Sequence, residues 1–251
     1  MLNLVSLFSS SKGNCTYVFS ENTKLLVDIG VSAKRLTEAL KSINVIPEEI
    51  QGVLITHEHS DHIKGIRVFC KKHNIPVFAS KKTWQALVSL ELDNSLKNDF
   101  EPYKNFSIGD INIIPFSIPH DAIDPCGFNL LCNNEKVTVA TDIGHMTPEL
   151  LSFFENSNSI LLESNHDIGM LRAGKYPYLL KQRIIGNYGH LSNLISAETV
   201  EHLIKKGTKK FILAHLSEDN NLPSLALETV KSRLSTNNID LTGISIEVAK
   251  P

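Results

Sequence analysis

The sequence lacks several features that would place the protein in a large class at once. Its four cysteines form no CxxC pair, which argues against a disulfide framework and against a thiolate zinc site. No run of about 18 apolar residues occurs, and the first residues have neither the cationic start nor the apolar block of a signal peptide. The sequence therefore predicts a cytoplasmic protein with reduced, mostly buried thiols and no membrane association.

The chain also has little net charge and no obvious linker. Its 25 basic and 27 acidic side chains give a formal charge of −2, so a polyanionic partner would have to be held by a local patch. With 251 residues, 42% of them hydrophobic, the chain can fill a substantial core. No stretch rich in proline, glycine or serine divides it. We therefore expect one α/β domain over residues 1–251.

Short apolar runs alternate with segments of helical period, which predicts strands and helices in alternation. Predicted strands are Leu2–Phe8, Thr16–Ser20, Lys24–Asp28, Gly52–Thr56, Pro76–Ala79, Ile111–Ile118, Gly127–Cys132, Lys136–Ala140, Ser159–Glu163, Lys210–Ala214 and Ile244–Val248. Predicted helices are Ala33–Ile43, Asp61–His73, Lys81–Leu90, Thr147–Asn156, Ser196–Lys206 and Ser224–Ser235. Paired strands occur at the start of the chain and again at Gly127–Ala140, and strand–helix units follow each pair. This pattern suggests two similar halves that face each other.

Six apolar runs end in a side chain that can bind a metal or move a proton. These side chains are Asp28, His57, His120, Asp142, Glu163 and His215. Loops at the carboxyl ends of strands gather at one edge of an α/β sheet, so the six could converge into one site. The alternative is that acids and histidines only mark the places where buried strands meet water.

The strongest local signal is the segment His57-Glu58-His59-Ser60-Asp61-His62. In an extended chain, residues two apart point the same way, so His57 and His59 can hold one metal ion. Asp61 and His62 begin a helix and turn toward a neighbouring position. This arrangement suits two divalent ions, and it differs from the metalloprotease helix, which needs a second histidine where Asp61 stands.

His57-x-His59-x-Asp61-His62 resembles the HxHxDH signature of the metallo-β-lactamase superfamily. The resemblance implies a four-layer αβ/βα sandwich with two divalent metal ions at the sheet edge, zinc or manganese, or else iron. The implied ligands are His57, His59 and His120 for one ion, Asp61, His62 and His215 for the other, and Asp142 for both. Asp28 would brace the site without binding metal. No cysteine stands among these ligands, which favours the phosphodiesterase branches.

A closer resemblance covers nearly the whole chain. The segments 9–15, 119–128, 141–145, 163–167, 189–193 and 215–221 are similar to those of the YycJ/WalJ group. This resemblance implies a DNA exonuclease that digests from the 5′ end, with nucleic acid as its substrate. The opening loop departs from the usual form, because Lys12 stands where serine is expected.

The resemblance also implies a mechanism. A hydroxide that bridges the two metal ions would attack phosphorus, and Asp61 would orient it. His190 occupies the position of a phosphate-side histidine in related phosphodiesterases, and Glu163 resembles the glutamate that orients that histidine. We therefore expect a Glu163–His190 pair in which His190 is the general acid or a phosphate clamp. Otherwise His190 would be a helix-start histidine that makes one backbone hydrogen bond.

The stretch from Ser164 to Asn193 is basic and carries three tyrosines, features that suit single-stranded nucleic acid. It could form a lid over the metals, or an ordinary surface helix with its tyrosines packed inward. The predicted substrate contacts are Asn14, His145, His166, Arg172, Lys175 and Ser192. Two other functions stay open: a hydrolase of cyclic phosphodiesters or thioesters on the same metals, and a non-catalytic DNA-binding scaffold. The sequence leaves the oligomeric state open.

Overall fold

Two β-sheets face each other at the centre of the protein, and helices cover the outer side of each. The computed structural model describes residues 1–250, so Pro251 of the predicted domain lies outside the described residues. All four cysteines are free and buried, as expected. Among the described residues, no helix has the length and apolarity needed to cross a bilayer.

The first sheet contains six strands in chain order. They are β1 (Asn3–Ser10), β2 (Gly13–Phe19), β3 (Lys24–Val27), β4 (Gly52–Leu54), β5 (Val77–Ser80) and β6 (Lys97–Phe100). The first three pair antiparallel, and β3 to β6 pair parallel. The accompanying helices are α1 (Ala33–Ser42), α2 (Ser60–Ile63), α3 (Ile66–His73) and α4 (Lys81–Ala86), with 3-10 turns at Pro47–Glu49, Val88–Leu90 and Asn94–Leu96.

The second sheet repeats this plan with seven strands. They are β7 (Phe106–Ile108), β8 (Ile111–Ser117), β9 (Cys126–Cys132), β10 (Glu135–Ala140), β11 (Ser159–Glu163), β12 (Lys210–Ala214) and β13 (Ser245–Val248). β7 to β10 form an antiparallel meander, and β10 to β13 pair parallel. The helices are α5 (Pro148–Phe154), α6 (Ile168–Ala173), α7 (Tyr178–Ile185), α8 (Asn193–Lys205) and α9 (Pro223–Thr236).

Three apolar clusters fill the spaces between four layers. Leu26 of β3 belongs to the cluster under α1 and α3, whereas its neighbours Leu25 and Val27 belong to the cluster between the two sheets. Adjacent strand residues point to opposite faces, so a strand buried on both faces is apolar throughout. In the second half, Phe154 of α5 lies in the third cluster with Leu162 of β11. These clusters confirm the predicted four-layer sandwich.

The structure departs from the predicted elements in a few places. The predicted helix Asp61–His73 is broken at Gly65, whose amide donates to the Ile29 carbonyl at 2.8 Å and whose backbone packs against Val31. The strands β6 and β7 and the helices α6 and α7 had not been predicted. β6 has a single buried residue and α7 has none, so neither shows the apolar period on which such predictions rest.

Candidate metal centre

The residues that end the six apolar runs meet at one edge of the molecule, where the carboxyl ends of the strands gather. Metal-ligating atoms of the following residues lie within 4.8 Å of one another in each of four groups: His57, His59 and His120; His57, His62 and Asp142; Asp61, His62 and His215; Asp142, Glu163, His190 and His215. Shared members join the groups into one cluster. The seven residues predicted as ligands all belong to it, so the structure brings them together.

The histidine-rich loop runs from β4 into α2 and supplies ligands in two directions. The Nε2 atom of His57 lies 3.0 Å from Nδ1 of His59, which stands just before α2. Within α2, Nε2 of His62 lies 3.4 Å from an Asp61 oxygen and 3.4 Å from an Asp142 oxygen. The loop thus presents the nitrogens of His57 and His59 in one direction and the side chains of Asp61 and His62 in another, as its spacing predicts.

A glycine holds this loop in place. The backbone of Gly30 packs so tightly against α2 that an added Cβ would lie 1.6 Å from the Asp61 carbonyl oxygen. Around it, the Ile29 amide donates to the His62 carbonyl, and the Gly30 amide donates to the Asn14 carbonyl, both at 2.8 Å. The close approach that places Asp61 and His62 therefore requires glycine at position 30.

Replacing Gly30 with alanine is expected to displace α2. Because the clash involves backbone atoms on both sides, we expect the free energy of unfolding to fall by about 3 kcal/mol, with weaker metal binding. The matched control is Gly169→Ala in α6, where the nearest atom to an added Cβ is a side-chain oxygen of Asp167 at 3.1 Å. Denaturant unfolding of both variants measures the difference, and equal stability would contradict this account of the loop.

The second half contributes three of the predicted ligands, His120, Asp142 and His215, from strand ends. Asp142 follows β10, and its Oδ1 atom lies 3.4 Å from Nδ1 of His215 and 3.8 Å from Nε2 of His120. Asp142 and His215 have left-handed backbones, with φ of 61° and 55°, and so does Asp28 in the first half, with φ of 61°. Such backbone is costly for residues other than glycine and clusters at functional sites.

Hydrogen bonds behind the predicted ligands fix the orientation of three of the imidazole rings. Nδ1 of His62 donates to Asp28 at 2.8 Å, and Nδ1 of His120 donates to the Gly189 carbonyl at 3.1 Å. Nδ1 of His57 lies 3.0 Å from the hydroxyl of Thr56, which in turn donates to Asp28 at 2.7 Å. A proton held at Nδ1 leaves Nε2 free for a metal. Asp28 thus holds the His62 ring directly and the His57 ring through Thr56. The part that Thr56 plays in this arrangement had not been predicted.

The electrostatics of the cluster favour added positive charge. Burial alone lowers the pKa of His215, but the Asp142 carboxylate, the nearby Asp61 carboxylate and the hydrogen bond to Glu163 outweigh it and raise that pKa to about 10. The pKa of His62 is raised in the same way, by Asp142 and Asp28 against the effect of burial. Burial raises the pKa of Asp142, but the surrounding histidines lower it more, so that this pKa lies well below its usual range.

The chemistry of the cluster fits a divalent cation. His120 Nε2, Asp142 Oδ2 and His215 Nε2 are buried and find no hydrogen-bond partner within residues 1–250. Buried polar atoms are otherwise almost always paired, so these three atoms can take a further group. At His215, a bound cation would displace the proton on Nε2. Imidazole nitrogen together with carboxylate oxygen is a ligand set that zinc, manganese and iron accept.

Glu163 and His190 form a pair beside these ligands. The Oε1 atom of Glu163 accepts hydrogen bonds from Nδ1 of His190 and from Nδ1 of His215, both at 2.8 Å. Its other oxygen accepts from the backbone amides of Ile143 and Leu191. Burial lowers the pKa of His190, but the Glu163 carboxylate raises it more, so it lies above its ordinary value. His190 thus keeps Nδ1 protonated and presents Nε2.

The predicted substrate contacts fall into three kinds of place. Asn14 is buried, with its amide nitrogen 3.3 Å from an Asp61 oxygen. Ser192 caps α8 and lines the same cavity as the next three residues. His145, His166 and Arg172 line one cavity together with His190. Lys175 is exposed and lines neither this cavity nor the pocket of the metal ligands, so the structure does not bring it to the site. The other five remain predictions.

The basic stretch forms two short helices, and it adds a residue that sequence reasoning missed. Arg183 of α7 reaches the pocket of the metal ligands and forms an ion pair with Asp121, the neighbour of His120. Tyr178 and Tyr188 are 72% and 62% exposed, so the alternative with tyrosines packed inward was wrong for these two. The basic composition pointed to this stretch, but only the fold shows which side chain reaches the site.

Comparison with known proteins agrees with this geometry. Residues 11–215 match the metallo-beta-lactamase superfamily. Exodeoxyribonuclease WalJ of Streptococcus pneumoniae serotype 2 is 39% identical over 246 residues, 96% of this chain and 91% of that protein. Exodeoxyribonuclease YycJ of Bacillus anthracis is 38% identical over 235 residues, 93% and 89% of the two chains.

Among solved structures, the metallo-beta-lactamase fold protein YhfI from Bacillus subtilis matches with a TM-score of 0.75 at 15% identity, covering 99% of this chain and 96% of that one. This likeness concerns the fold alone. WalJ and YycJ are far more similar to this chain in sequence. The chain belongs to the metallo-β-lactamase superfamily and, within it, to the YycJ/WalJ group.

Proposed function

We propose that the protein is an exodeoxyribonuclease that uses two divalent metal ions to hydrolyse phosphodiester bonds from the 5′ end of DNA. The observation that carries the proposal is the Glu163–His190 pair at 2.8 Å, whose histidine lines the same pocket as Asp61, His120 and Asp142. A general acid next to a divalent-ion cluster is what cleavage of a phosphodiester requires. The two relatives named as exodeoxyribonucleases support DNA as the substrate.

Two ligand sets would share the ions. Three histidines, His57, His59 and His120, would hold one ion, and Asp61, His62 and His215 the other, with Asp142 between them. When bound, two divalent ions polarise the phosphodiester and neutralise charge that develops on its non-bridging oxygens. Zinc and manganese both suit these donors.

The residues of this chain would orient and protonate the reactants. Asp61 faces the cluster with an oxygen 3.7 Å from Nε2 of His215, where it can orient the attacking water. After the water has lost a proton to solvent, its oxygen forms a bond to phosphorus, and the bond from phosphorus to the leaving oxygen breaks. Nε2 of His190 gives its proton to that leaving oxygen, while Glu163 holds Nδ1 and stabilises the charged ring before the transfer. Arg183, at the edge of the pocket, supplies a fixed positive charge for the phosphate.

The surface around the pocket suits an unpaired strand. Tyr178 and Tyr188 expose their rings, and base stacking on such rings contributes about 1–3 kcal/mol per base. Lys12 follows Ser11, which lines the pocket, and forms an ion pair with Glu218. These features provide sequence-independent contacts to bases and backbone.

The test is digestion of single-stranded DNA labelled at either end, with zinc or manganese, beside an Asp61→Ala control. We expect stepwise loss of nucleotides from the 5′ end, at a rate that falls as salt rises, and no digestion by the control. Intact DNA with rapid cleavage of bis(4-nitrophenyl) phosphate would favour a hydrolase of small substrates. Metal-loaded protein that cleaves no phosphodiester would favour a binding scaffold.

A further inference from the structure

A large cavity lies next to the proposed general acid. Its volume is about 770 Å³, and His190 lines both this cavity and the pocket of the metal ligands. The volume lies within the range of about 300–1,000 Å³ that is usual for small-molecule sites. The cavity is therefore large enough for one nucleotide, and a molecule inside it can touch the group that delivers the proton.

One side of the cavity is an apolar wall that is partly open to solvent. α8 contributes Leu194 and Ile195, which are 54% and 37% exposed, and α5 contributes Leu151. Met146 and Leu191 also belong to this wall. Exposed apolar side chains gathered at a cavity beside a catalytic group indicate a ligand with a flat or apolar part.

A buried histidine provides hydrogen-bonding atoms in the same cavity. His166 is 2% exposed and lines the cavity, and its Nδ1 atom has no hydrogen-bond partner among residues 1–250. Burial lowers the pKa of His166 to about 4, so the neutral ring has one donor and one acceptor. A buried polar atom without a partner is unfavourable unless a bound group completes the hydrogen bond.

The cavity also has an available positive charge. Arg172 is exposed on its rim and forms no ion pair within the described part of the chain. The acid on the cavity wall, Glu198, is paired with Arg233 at 3.1 Å, which reduces its repulsion toward an anion. A guanidinium group at this place suits a phosphate.

We propose that this cavity binds the terminal nucleotide of the DNA strand, with its base between the apolar wall and His166 and its phosphate at Arg172. The inference rests on the proposed function. His190 protonates the leaving oxygen, which is the 3′ oxygen of the 5′-terminal nucleotide. That nucleotide therefore has to lie on the His190 side of the cleaved bond, and it leaves with its own 5′ phosphate. The cavity has room for a single nucleotide, so it can hold this nucleotide only at the end of a strand. The shape of the site would therefore explain stepwise digestion.

Binding of the product tests the base contact directly. Calorimetric titration of the metal-loaded protein would compare dAMP with deoxyribose 5-phosphate, which keeps the phosphate and lacks the base. We expect dAMP to bind at least about tenfold more tightly, the difference that one well-packed base supplies. The cavity-filling variant Ile195→Trp should abolish this difference, whereas the matched control Val68→Trp, on exposed α3, should retain it. Equal binding of the two ligands to the wild type would overturn the proposal.

Digestion distinguishes this proposal from the proposed function. With Ile195→Trp, the rate on DNA divided by the rate on bis(4-nitrophenyl) phosphate should fall at least about tenfold relative to the Val68→Trp control, because the small ester has no base to place. An abasic 5′ nucleotide on the DNA should have the same effect on the wild type. If Ile195→Trp digests DNA like the control, the cavity proposal fails and the exonuclease stands. If the wild type leaves DNA intact but discriminates dAMP as described, the exonuclease fails and the nucleotide site stands.

Discussion

Replacing Asp142 with alanine is expected to lower phosphodiesterase activity by at least about 10³-fold, equivalent to ~4 kcal/mol of transition-state stabilisation. Asp142 is buried, and its oxygens lie within 3.8 Å of nitrogens of His62, His120 and His215. It is the residue through which both proposed ion positions are connected. Its loss removes the shared negative charge and leaves the surrounding histidines without a common acceptor.

The measurements are elemental analysis after loading with zinc or manganese, and the rate on bis(4-nitrophenyl) phosphate. We expect fewer ions per chain than in the wild type, together with the loss of rate. Asp99→Ala is the matched control, because Asp99 is exposed on β6, in the other sheet. Full metal content combined with wild-type activity in Asp142→Ala would refute the ligand assignment.

Replacing His190 with alanine is expected to lower the rate of DNA cleavage by about 10²–10⁴-fold with the metal content unchanged. The physical reason is the proton that a poor leaving group, the sugar oxygen, needs as its bond to phosphorus breaks. For bis(4-nitrophenyl) phosphate, whose leaving group departs without a proton, the loss should be about tenfold or less. The ratio between the two substrates therefore isolates proton donation from binding.

Glu163→Gln complements this experiment, since the amide keeps the shape and removes the charge that Glu163 presents to both His190 and His215. His73→Ala serves as the control, because His73 pairs with Glu48 away from the site. Loss of metal from His190→Ala would instead make His190 a ligand, and an equal loss on both phosphodiesters would reduce its role to binding.

Local sequence patterns predicted much of the centre. The histidine-rich loop carries four of its ligands within six residues, and the apolar runs of β3, β4, β10 and β12 end next to Asp28, His57, Asp142 and His215. Such runs show where buried strands end, and parallel strands bring their ends together. These patterns predicted that the strand ends converge and that two similar halves face each other, whereas the ligand set and the four-layer sandwich were implied by the resemblance to the metallo-β-lactamase superfamily.

Other parts depend on contacts that no local pattern records. The left-handed backbones at Asp142 and His215 occur without glycine, so their backbone shape is set by the surrounding packing. The helices α6 and α7 are short and contribute one buried residue between them, which removes the period that predicts helices. The position of Arg183, and the cavity between α5, α6 and α8, follow from how these segments pack.

The predicted ligands come from both halves of the sandwich, and this has a mechanical consequence. His59 and Asp61 belong to the half built on the first sheet, and His120 and Asp142 to the half built on the second, while carbon side chains fill the interior between them. Ions bound by residues of both halves would cross-link the two halves at the edge where they meet, because each ion would connect segments far apart in the chain. The availability of metal would then set how strongly the two halves are held together at the edge that carries the site. A molecule without metal would keep the apolar core between the sheets but lose the cross-link at that edge.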